Sequence, residues 1–209
     1  IGYFNQGKGY TPFLDSLLKR GTTFRYSFSN AKKSIEGIPA IVSGIPSLME
    51  NPYITSMYGS NQLQRLPSLL KQKGYTTSFY HGGNNGTMGF DAFTKIAGFD
   101  NYFGRNEYAN EADFDGNWGI YDEPFLHYFE KQMQSQKQPF CNVLFTLSSH
   151  HPYSIPVKYK NRFPKGTLEI HESIGYTDYA LQQFFKKAAQ SSWYANTLFV
   201  ITADHTSIA

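Results

Sequence analysis

The most constraining feature of this sequence is a short apolar run that ends in an adjacent aspartate and histidine. Residues 198–201 read Leu-Phe-Val-Ile, which is too short for a helix and is typical of a buried strand in a parallel sheet. Asp204 and His205 follow at the carboxyl end, where open α/β sheets bind their ligands. A carboxylate and an imidazole in this position can bind a divalent cation. The alternative is a polar loop in which Asp204 caps the next element.

A strand followed by a histidine occurs twice more along the chain. Residues 75–80 form a predicted strand that leads into His81 and a glycine-rich loop, and residues 139–147 form one that leads into His150. Because the carboxyl ends of parallel strands meet at one edge of a sheet, we expect these two histidines and His205 to line one cleft. The alternatives are that the glycine-rich loop is only a turn and that the paired histidine before proline is a structural turn.

Segments with helical periodicity lie between the predicted strands. It predicts five helices, over residues 11–21, from about 34 to 44, and over 62–74, 122–134 and 172–189. Alternating aromatic residues predict a further strand over 22–28. Residues 100–121 are aromatic and polar without a period, so we expect a long surface loop that lines the cleft. This order of elements predicts an α/β fold with a mainly parallel sheet.

The hydroxyl of Ser34, at the predicted start of a helix, has two interpretations. As an N-cap it would accept a backbone N–H and stabilise the helix by about 1 kcal/mol. As a nucleophile it would face an anionic substrate held by free N–H groups at the positive end of the helix dipole. On local grounds the N-cap is the commoner use of a serine in this position.

Composition excludes several classes of protein. The chain has 209 residues, of which 40% are hydrophobic and 17% aromatic, as expected for a folded domain with a substantial core. The net charge of +3 and the lack of a Lys/Arg-rich run argue against a nucleic-acid partner. Cys141 is the only cysteine, which excludes an internal disulfide. No apolar run approaches the roughly 18 residues of a membrane span.

Four short motifs occur in the order expected for one known family. They read Lys-Ser-Ile-Glu-Gly-Ile-Pro, His-Gly-Gly-Asn, Leu-Ser-Ser-His-His-Pro and Thr-Ala-Asp-His-Thr, at residues 33–39, 81–84, 147–152 and 202–206. Together they resemble the extracellular catalytic domain of lipoteichoic acid synthases and related phosphoglycerol transferases, in the alkaline phosphatase and sulfatase superfamily. The resemblance implies a three-layer α/β/α sandwich. It also implies that residues 1–209 are a single catalytic domain, truncated at both ends relative to the family.

The resemblance implies a metal-bound nucleophile. Ser34 would take this role, where most phosphoglycerol transferases have Thr, and Ser34, Asp204 and His205 would be metal ligands. The family also has a metal-binding Glu that would lie upstream of Ile1. We expect Mn²⁺, with Mg²⁺, Zn²⁺ or Ca²⁺ as alternatives, because an Asp–His pair does not select among them. The nucleophile would attack a phosphatidylglycerol-like diester, form a covalent phosphoglycerol-enzyme and pass the group to a polymer, a glycan or water.

The resemblance also implies a substrate pocket. His81, Asn84 and His150 would contact an anionic phospholipid or another phosphodiester or sulfate ester, and His150 would protonate the leaving alkoxide. The family often has an Arg shortly after the His-Gly loop, but residues 87–91 contain none. The identity of the donor substrate is therefore not decided by the resemblance. The parent protein would be anchored in the cell membrane, with this domain on the extracytoplasmic side.

Two alternatives come from other functional classes. A sulfatase shares the fold, but formylglycine sulfatases need a Cys or Ser two residues before Pro, with Arg two residues further on. Neither Ser34, followed by Ile-Glu, nor Cys141, followed by Asn-Val, fits that motif. The second alternative is a non-catalytic surface domain that binds anionic polymer, and binding that survives Ser34→Ala without metal would favour it.

Overall fold

A computed structural model describes residues 1–206. The α-helices and strands in this part are, in chain order, α1 (Pro12–Leu18), α2 (Ser34–Ser43), α3 (Leu66–Lys71), β1 (Thr76–His81), α4 (Phe90–Ala97), β2 (Asn101–Phe103), α5 (Arg105–Tyr108), α6 (Asp122–Ser135), β3 (Phe140–Phe145) and α7 (Ile170–Ala188). Short 3₁₀ helices cover Tyr53–Thr55, Thr87–Gly89, Glu111–Asp113, Val157–Tyr159 and Tyr194–Asn196. Over residues 1–206, none of the helices combines the length and apolarity needed to cross a bilayer.

The three strands form a parallel sheet in the order β2-β1-β3. In the central strand, Tyr80 pairs with Phe103 of β2 and with Leu144 of β3, so the three strands end at the same edge. The strands predicted over 75–80 and 139–147 are therefore confirmed, with slightly different bounds. The polar segments after β1 and β3 both leave the sheet at its carboxyl edge.

Two adjacent residues of β1 define the layers. Because side chains alternate along a strand, Phe79 and Tyr80 point to opposite faces of the sheet. Phe79 packs into a cluster supplied mainly by α2 and α4, whose other buried members are Ile38, Val42, Tyr53, Phe90, Phe93, Ala97 and Phe99. Tyr80 packs into a second cluster, which α6 and α7 mainly supply. The other buried members of this cluster are Ile120, Phe125, Leu126, Phe129, Met133, Ala180, Phe184, Phe185, Ala188 and Trp193. Helices therefore cover both faces, which gives the predicted three-layer α/β/α arrangement.

The helices that position the cleft begin where the sequence predicts. α2 starts at Ser34, and the residue after its last one, Gly44, takes the left-handed conformation with φ 63° that favours glycine at a helix end. α6 carries Asp122 and Glu123 in its first turn, where carboxylates interact well with the helix dipole. α3 is shorter than the predicted helix over 62–74.

The strand predicted over residues 22–28 is wrong. This segment is irregular, and its alternating aromatic residues, Phe24, Tyr26 and Phe28, are 74%, 81% and 88% exposed. Alternation creates a strand only when one face of it is buried, and in residues 1–206 these rings have no core to enter.

The buried strand predicted over residues 198–201 is also wrong. The segment is not part of the three-stranded sheet, and Leu198 and Val200 are 87% and 78% exposed. Only Phe199 turns inward, against Phe185 and Trp193. A continuous apolar run needs two covered faces, whereas only one face of this segment is covered within the described residues.

The region predicted as a long surface loop, residues 100–121, is also more ordered than expected. It contains β2, α5 and a 3₁₀ turn, and these elements fold the segment back over the end of β1. α4 also has no counterpart among the predicted helices. β2 and α5 have only three and four residues, too few to show a period.

Candidate active site

The first group of candidate residues forms at the start of α2. Lys33 is the N-cap of this helix and makes no side-chain capping bond, so Ser34 is the first helical residue and its hydroxyl is not a cap. The carboxylate of Glu36 accepts the backbone N–H of Lys32 instead, which lowers the pKa of Glu36. Ser34 is buried, and its Oγ lies 3.3 Å from Nε2 of His205. The N-cap interpretation of Ser34 is therefore wrong.

His205 presents one nitrogen to this hydroxyl. Its Nδ1 lies 2.8 Å from the carbonyl oxygen of Thr206. Because a carbonyl oxygen only accepts hydrogen bonds, Nδ1 carries the proton of neutral His205, and Nε2 keeps a free lone pair. Nε2 therefore faces the Ser34 hydroxyl as an acceptor or a metal ligand.

Asp204 completes the first group. Its Oδ2 lies 3.5 Å from Nε2 of His205. The same Oδ2 is buried and has no hydrogen-bond partner among the described residues. Ser29 Oγ donates to the backbone carbonyl of Asp204 at 2.7 Å and holds the segment in place.

A close backbone approach brings this segment to α2. A Cβ added to Gly37 would lie 2.8 Å from the carbonyl oxygen of Asp204 and 2.9 Å from its Cβ. Only glycine therefore lets the first turn of α2 lie against Asp204. Sequence reasoning assigned no role to Gly37, although a glycine inside a helix pattern is a signal for such a contact.

The donor atoms of this group fit a divalent cation. A carboxylate oxygen and an imidazole nitrogen 3.5 Å apart are stabilised by a positive charge near them, which either a divalent cation or a proton on Nε2 supplies. Ser34 Oγ, Asp204 Oδ2 and His205 Nε2 supply two hard oxygens and one nitrogen, a set that suits Mn²⁺, Mg²⁺ or Zn²⁺. Within residues 1–206, no group of three His, Cys, Asp or Glu side chains could hold a metal, so the serine hydroxyl would be the third ligand.

The glycine loop after β1 covers its histidine. His81 is 1% exposed, and its ring packs against Phe90 and Phe145. A Cβ at Gly83 would lie 2.6 Å from the ring, so the loop backbone runs directly over it. Burial lowers the pKa of His81 to about 4, so the imidazole is neutral at physiological pH. A substrate contact by His81 therefore requires the glycine loop to move.

Asn84 lies exposed beyond the two glycines of the loop. Its Oδ1 accepts a hydrogen bond from Nη1 of Arg105 at 2.9 Å. Arg105 itself forms an ion pair with Glu111, and its guanidinium lies over the ring of Phe114. This contact leaves the amide NH₂ of Asn84 without a partner in the described residues, available to an anionic ligand.

His150 lies at the end of the segment that follows β3. It is half-buried, and its Nδ1 lies 2.8 Å from the carbonyl oxygen of His151. Trp118, from the region predicted as a loop, has its ring 4.2 Å from the His150 ring, centroid to centroid. Sequence reasoning placed this region at the cleft but singled out none of its residues.

A buried carboxylate anchors the segment that carries His150. Oδ1 of Asp122 accepts the backbone N–H groups of Leu147 and Ser148 at 2.8 and 3.1 Å, and its Oδ2 accepts the Thr177 hydroxyl at 2.6 Å. Complete burial raises the pKa of Asp122, and these hydrogen bonds oppose the rise. Sequence reasoning predicted Asp122 only as the start of a helix.

The structure thus brings Ser34, Asp204 and His205 together, but within residues 1–206 no hydrogen bond joins Asn84 to His150. His205 contacts both Ser34 and Asp204, whereas the second group, Asn84 and His150, lies on the segments that follow β1 and β3. Over residues 1–206, no side-chain hydrogen bond joins the first group to His150 or Asn84.

Comparison with known proteins places this arrangement in a family. The Sulfatase family model matches residues 1–208. Lipoteichoic acid synthase 1 from Bacillus subtilis (strain 168) is 31% identical over 222 residues, covering 100% of this chain and 34% of that protein. Phosphoglycerol transferase I from Citrobacter koseri is 26% identical, covering 95% of this chain and 28% of that protein. The chain therefore spans about a third of the length of the curated relatives it matches.

Solved structures agree with this assignment. A protein of the alkaline phosphatase superfamily from Vibrio parahaemolyticus is similar with a TM-score of 0.82 at 28% identity, covering 92% of this chain and 48% of that chain. The periplasmic domain of EcEptC from Escherichia coli, solved in complex with Zn, has a TM-score of 0.64 at 17% identity, covering 91% and 56%. The second likeness concerns the fold alone. The chain belongs to the sulfatase family and has the fold of the alkaline phosphatase superfamily.

Proposed function

We propose that this chain is the catalytic domain of a metal-dependent phosphotransferase, which moves a phosphoglycerol-type group from a lipid donor to an acceptor in the cell envelope. The observation that carries the proposal is the contact of the Ser34 hydroxyl with Nε2 of His205, which lies beside an Asp204 Oδ2 that has no hydrogen-bond partner within residues 1–206. A buried hydroxyl in contact with a potential metal ligand is suited to act as an activated nucleophile.

The proposed reaction has two steps. Ser34 Oγ forms a bond to the phosphorus of a phosphodiester, its proton passes to solvent, and the bond from phosphorus to the lipid alkoxide breaks. A hydroxyl of the acceptor, or water, then attacks the phosphoserine and restores Ser34. A divalent cation held by Ser34, Asp204 and His205 would favour ionisation of the hydroxyl and neutralise charge on the phosphoryl oxygens. We propose Mn²⁺ for this site.

Residues from the second group would serve the substrate. His150 keeps one proton on Nδ1 against a carbonyl oxygen, so its Nε2 can take up a second proton from solvent and, as the imidazolium, pass it to the leaving alkoxide. Asn84 has an amide NH₂ with no partner in residues 1–206, which could bind the anionic group. We assign a substrate contact to His81 only after movement of the glycine loop, because its ring is buried below Gly83.

The names of the relatives support the substrate class. One relative is named for the synthesis of lipoteichoic acid and the other for the transfer of phosphoglycerol. An anionic phospholipid donor is consistent with a site that combines metal ligands and hydrogen-bond donors. We propose that the domain lies outside the cytoplasm, as part of a membrane-anchored protein.

A sulfatase is the second candidate, since the matching family model carries that name. Sulfate esters and phosphodiesters are both tetrahedral oxyanions that a metal-bound hydroxyl could attack. The absence of the formylglycine motif around Ser34 and Cys141 favours the phosphotransferase.

The test is nitrophenol release from bis(p-nitrophenyl) phosphate and from p-nitrophenyl sulfate, with and without Mn²⁺. Ser34→Ala should abolish Mn²⁺-dependent diester cleavage, whereas Ser34→Thr, which keeps a hydroxyl, should retain it. Ser60→Ala, at an exposed position, is the matched control. Diester cleavage that persists in Ser34→Ala would remove Ser34 from the mechanism. Cleavage of the sulfate alone would favour the sulfatase, and a folded protein that binds no metal and cleaves neither ester would favour a surface-binding domain.

A further inference from the structure

We propose that Trp118 is a positioning residue for His150. The inference rests on the proposed function, in which His150 acts on the leaving group. Its basis is a shared acceptor. The carbonyl oxygen of His151 lies 2.6 Å from Nε1 of Trp118, which donates to it, and 2.8 Å from Nδ1 of His150. The indole therefore fixes the direction of the carbonyl group that in turn fixes the imidazole.

The shared acceptor determines which nitrogen of His150 can act. The carbonyl oxygen can only accept, so the Nδ1 atom of His150 carries a proton and Nε2 is left for the substrate. The indole ring also lies beside the imidazole, at 4.2 Å between centroids and an interplanar angle of 54°. Trp118 thus restrains His150 in two ways, through the common carbonyl and by ring contact.

Trp118 is itself held in a fixed turn. Oδ1 of Asp115 accepts the backbone N–H groups of Asn117, Trp118 and Gly119, at 2.7, 2.8 and 3.1 Å. Gly116 takes φ 85°, a left-handed conformation that most other residues adopt only with strain. A carboxylate that receives three N–H groups makes this turn a rigid support for the indole.

The same turn is joined to both neighbouring segments of the cleft. Gly119 forms an antiparallel bridge with Gly83, and Ile120 N–H donates to the carbonyl oxygen of Gly82 at 3.0 Å. A Cβ at Gly119 would lie 2.4 Å from that oxygen and 2.7 Å from Cδ1 of Leu147. The turn therefore connects the glycine loop after β1 with the segment after β3, and Trp118 projects from it toward His150.

The first experiment measures the tautomer of His150 and does not depend on activity. In ¹⁵N-labelled protein, histidine side-chain NMR near pH 7.5 should show His150 protonated at Nδ1, identified by the loss of its signals in His150→Ala. Trp118→Ala should shift this population toward Nε2 protonation. Trp118→Phe, which keeps an aromatic ring but has no N–H, should give an intermediate shift and guards against misfolding of the Ala variant. A His150 signal that both variants leave unchanged would overturn the proposal.

The second experiment is a double-mutant cycle with vesicles of phosphatidylglycerol, whose alkoxide leaving group must take up a proton, whereas nitrophenolate can leave without one. Trp118→Ala should lower kcat by about 10- to 100-fold, as misplacement of a catalytic group does, with Mn²⁺ affinity unchanged. Because Trp118 acts through His150, adding Trp118→Ala to His150→Ala should cause little further loss. A further loss of similar size in the double variant would contradict the proposal. An inactive wild-type protein would contradict the proposed function, while the NMR result would still decide whether Trp118 positions His150.

Discussion

The Ser34 hydroxyl lies 3.3 Å from Nε2 of His205, although 171 residues separate them in the chain. One residue begins a helix and the other ends an extended segment, and each is unremarkable in its local setting. This contact lies beside a carboxylate oxygen of Asp204 that has no partner among the described residues, and it makes a serine at a helix start a candidate nucleophile. The predictions below test this contact and the structure that supports it.

We predict that His205→Ala loses divalent metal. The variant removes the only nitrogen of the proposed donor set and leaves two oxygens, so the affinity for Mn²⁺ should fall by at least about tenfold. Isothermal titration with Mn²⁺ measures this without reference to turnover. His127→Ala, which changes a histidine on α6, is the control and should bind as the wild type does. Unchanged Mn²⁺ binding in His205→Ala would exclude His205 as a ligand.

Gly37→Ala should damage the site more than the fold. Alanine normally favours a helix interior over glycine by about 0.5–1 kcal/mol. Here the new Cβ would meet the backbone and Cβ of Asp204 below 3.0 Å, so the aspartate segment must move. Mn²⁺ affinity and diester turnover should both fall. Gly21→Ala is the control, because the atom nearest to its new Cβ is the carbonyl oxygen of Leu17 at 3.6 Å, an ordinary contact. Its Mn²⁺ affinity and diester turnover should equal those of the wild type.

Stability should fall on acidification because of His81. Burial lowers the pKa of His81 from 6.5 to about 4 in the folded chain, whereas the unfolded chain keeps the ordinary value. Below pH 6.5 His81 therefore binds a proton in the unfolded state but not in the folded state. The free energy of unfolding decreases for this reason as the pH falls toward 4. The loss attributable to His81 between pH 7 and pH 5 is about 2 kcal/mol.

Urea unfolding of the wild type and of His81→Gln at these two pH values isolates this contribution. Other titrating groups affect both proteins alike, so the difference between their pH dependences belongs to His81. His81→Gln should be less stable at pH 7 but should lose less stability on acidification. Equal losses in the two proteins would show that His81 becomes protonated without unfolding, as it would if the glycine loop opened.

Asp122→Ala should be strongly destabilising. It leaves the buried N–H groups of Leu147 and Ser148 and the Thr177 hydroxyl without their acceptor. Because each unsatisfied buried donor costs about 1–3 kcal/mol, we expect a loss of at least about 3 kcal/mol in the free energy of unfolding. Urea denaturation measures it, with the exposed Glu50→Ala as the control. A change below 1 kcal/mol would mean that water replaces the carboxylate.

The sequence alone was enough to predict the helices and strands whose buried face is long or strongly patterned. The central strand, the strand before His150, the start of α2 at Ser34 and the helices α6 and α7 all follow from hydrophobic periodicity and helix-end residues. These features are local, since a run of a few residues already shows which side of an element is buried. The motifs at their ends were enough to indicate the family.

Tertiary structure alone decided which of these residues meet and which faces are covered. The aromatic residues over 22–28 and the apolar run over 198–201 have the pattern of strands but lie largely exposed, because a pattern does not specify a partner. Likewise, the fit of Gly37 against Asp204 and the carbonyl shared by Trp118 and His150 depend on contacts between segments far apart in the chain. Such contacts leave no periodic signal, so only the folded chain could reveal them.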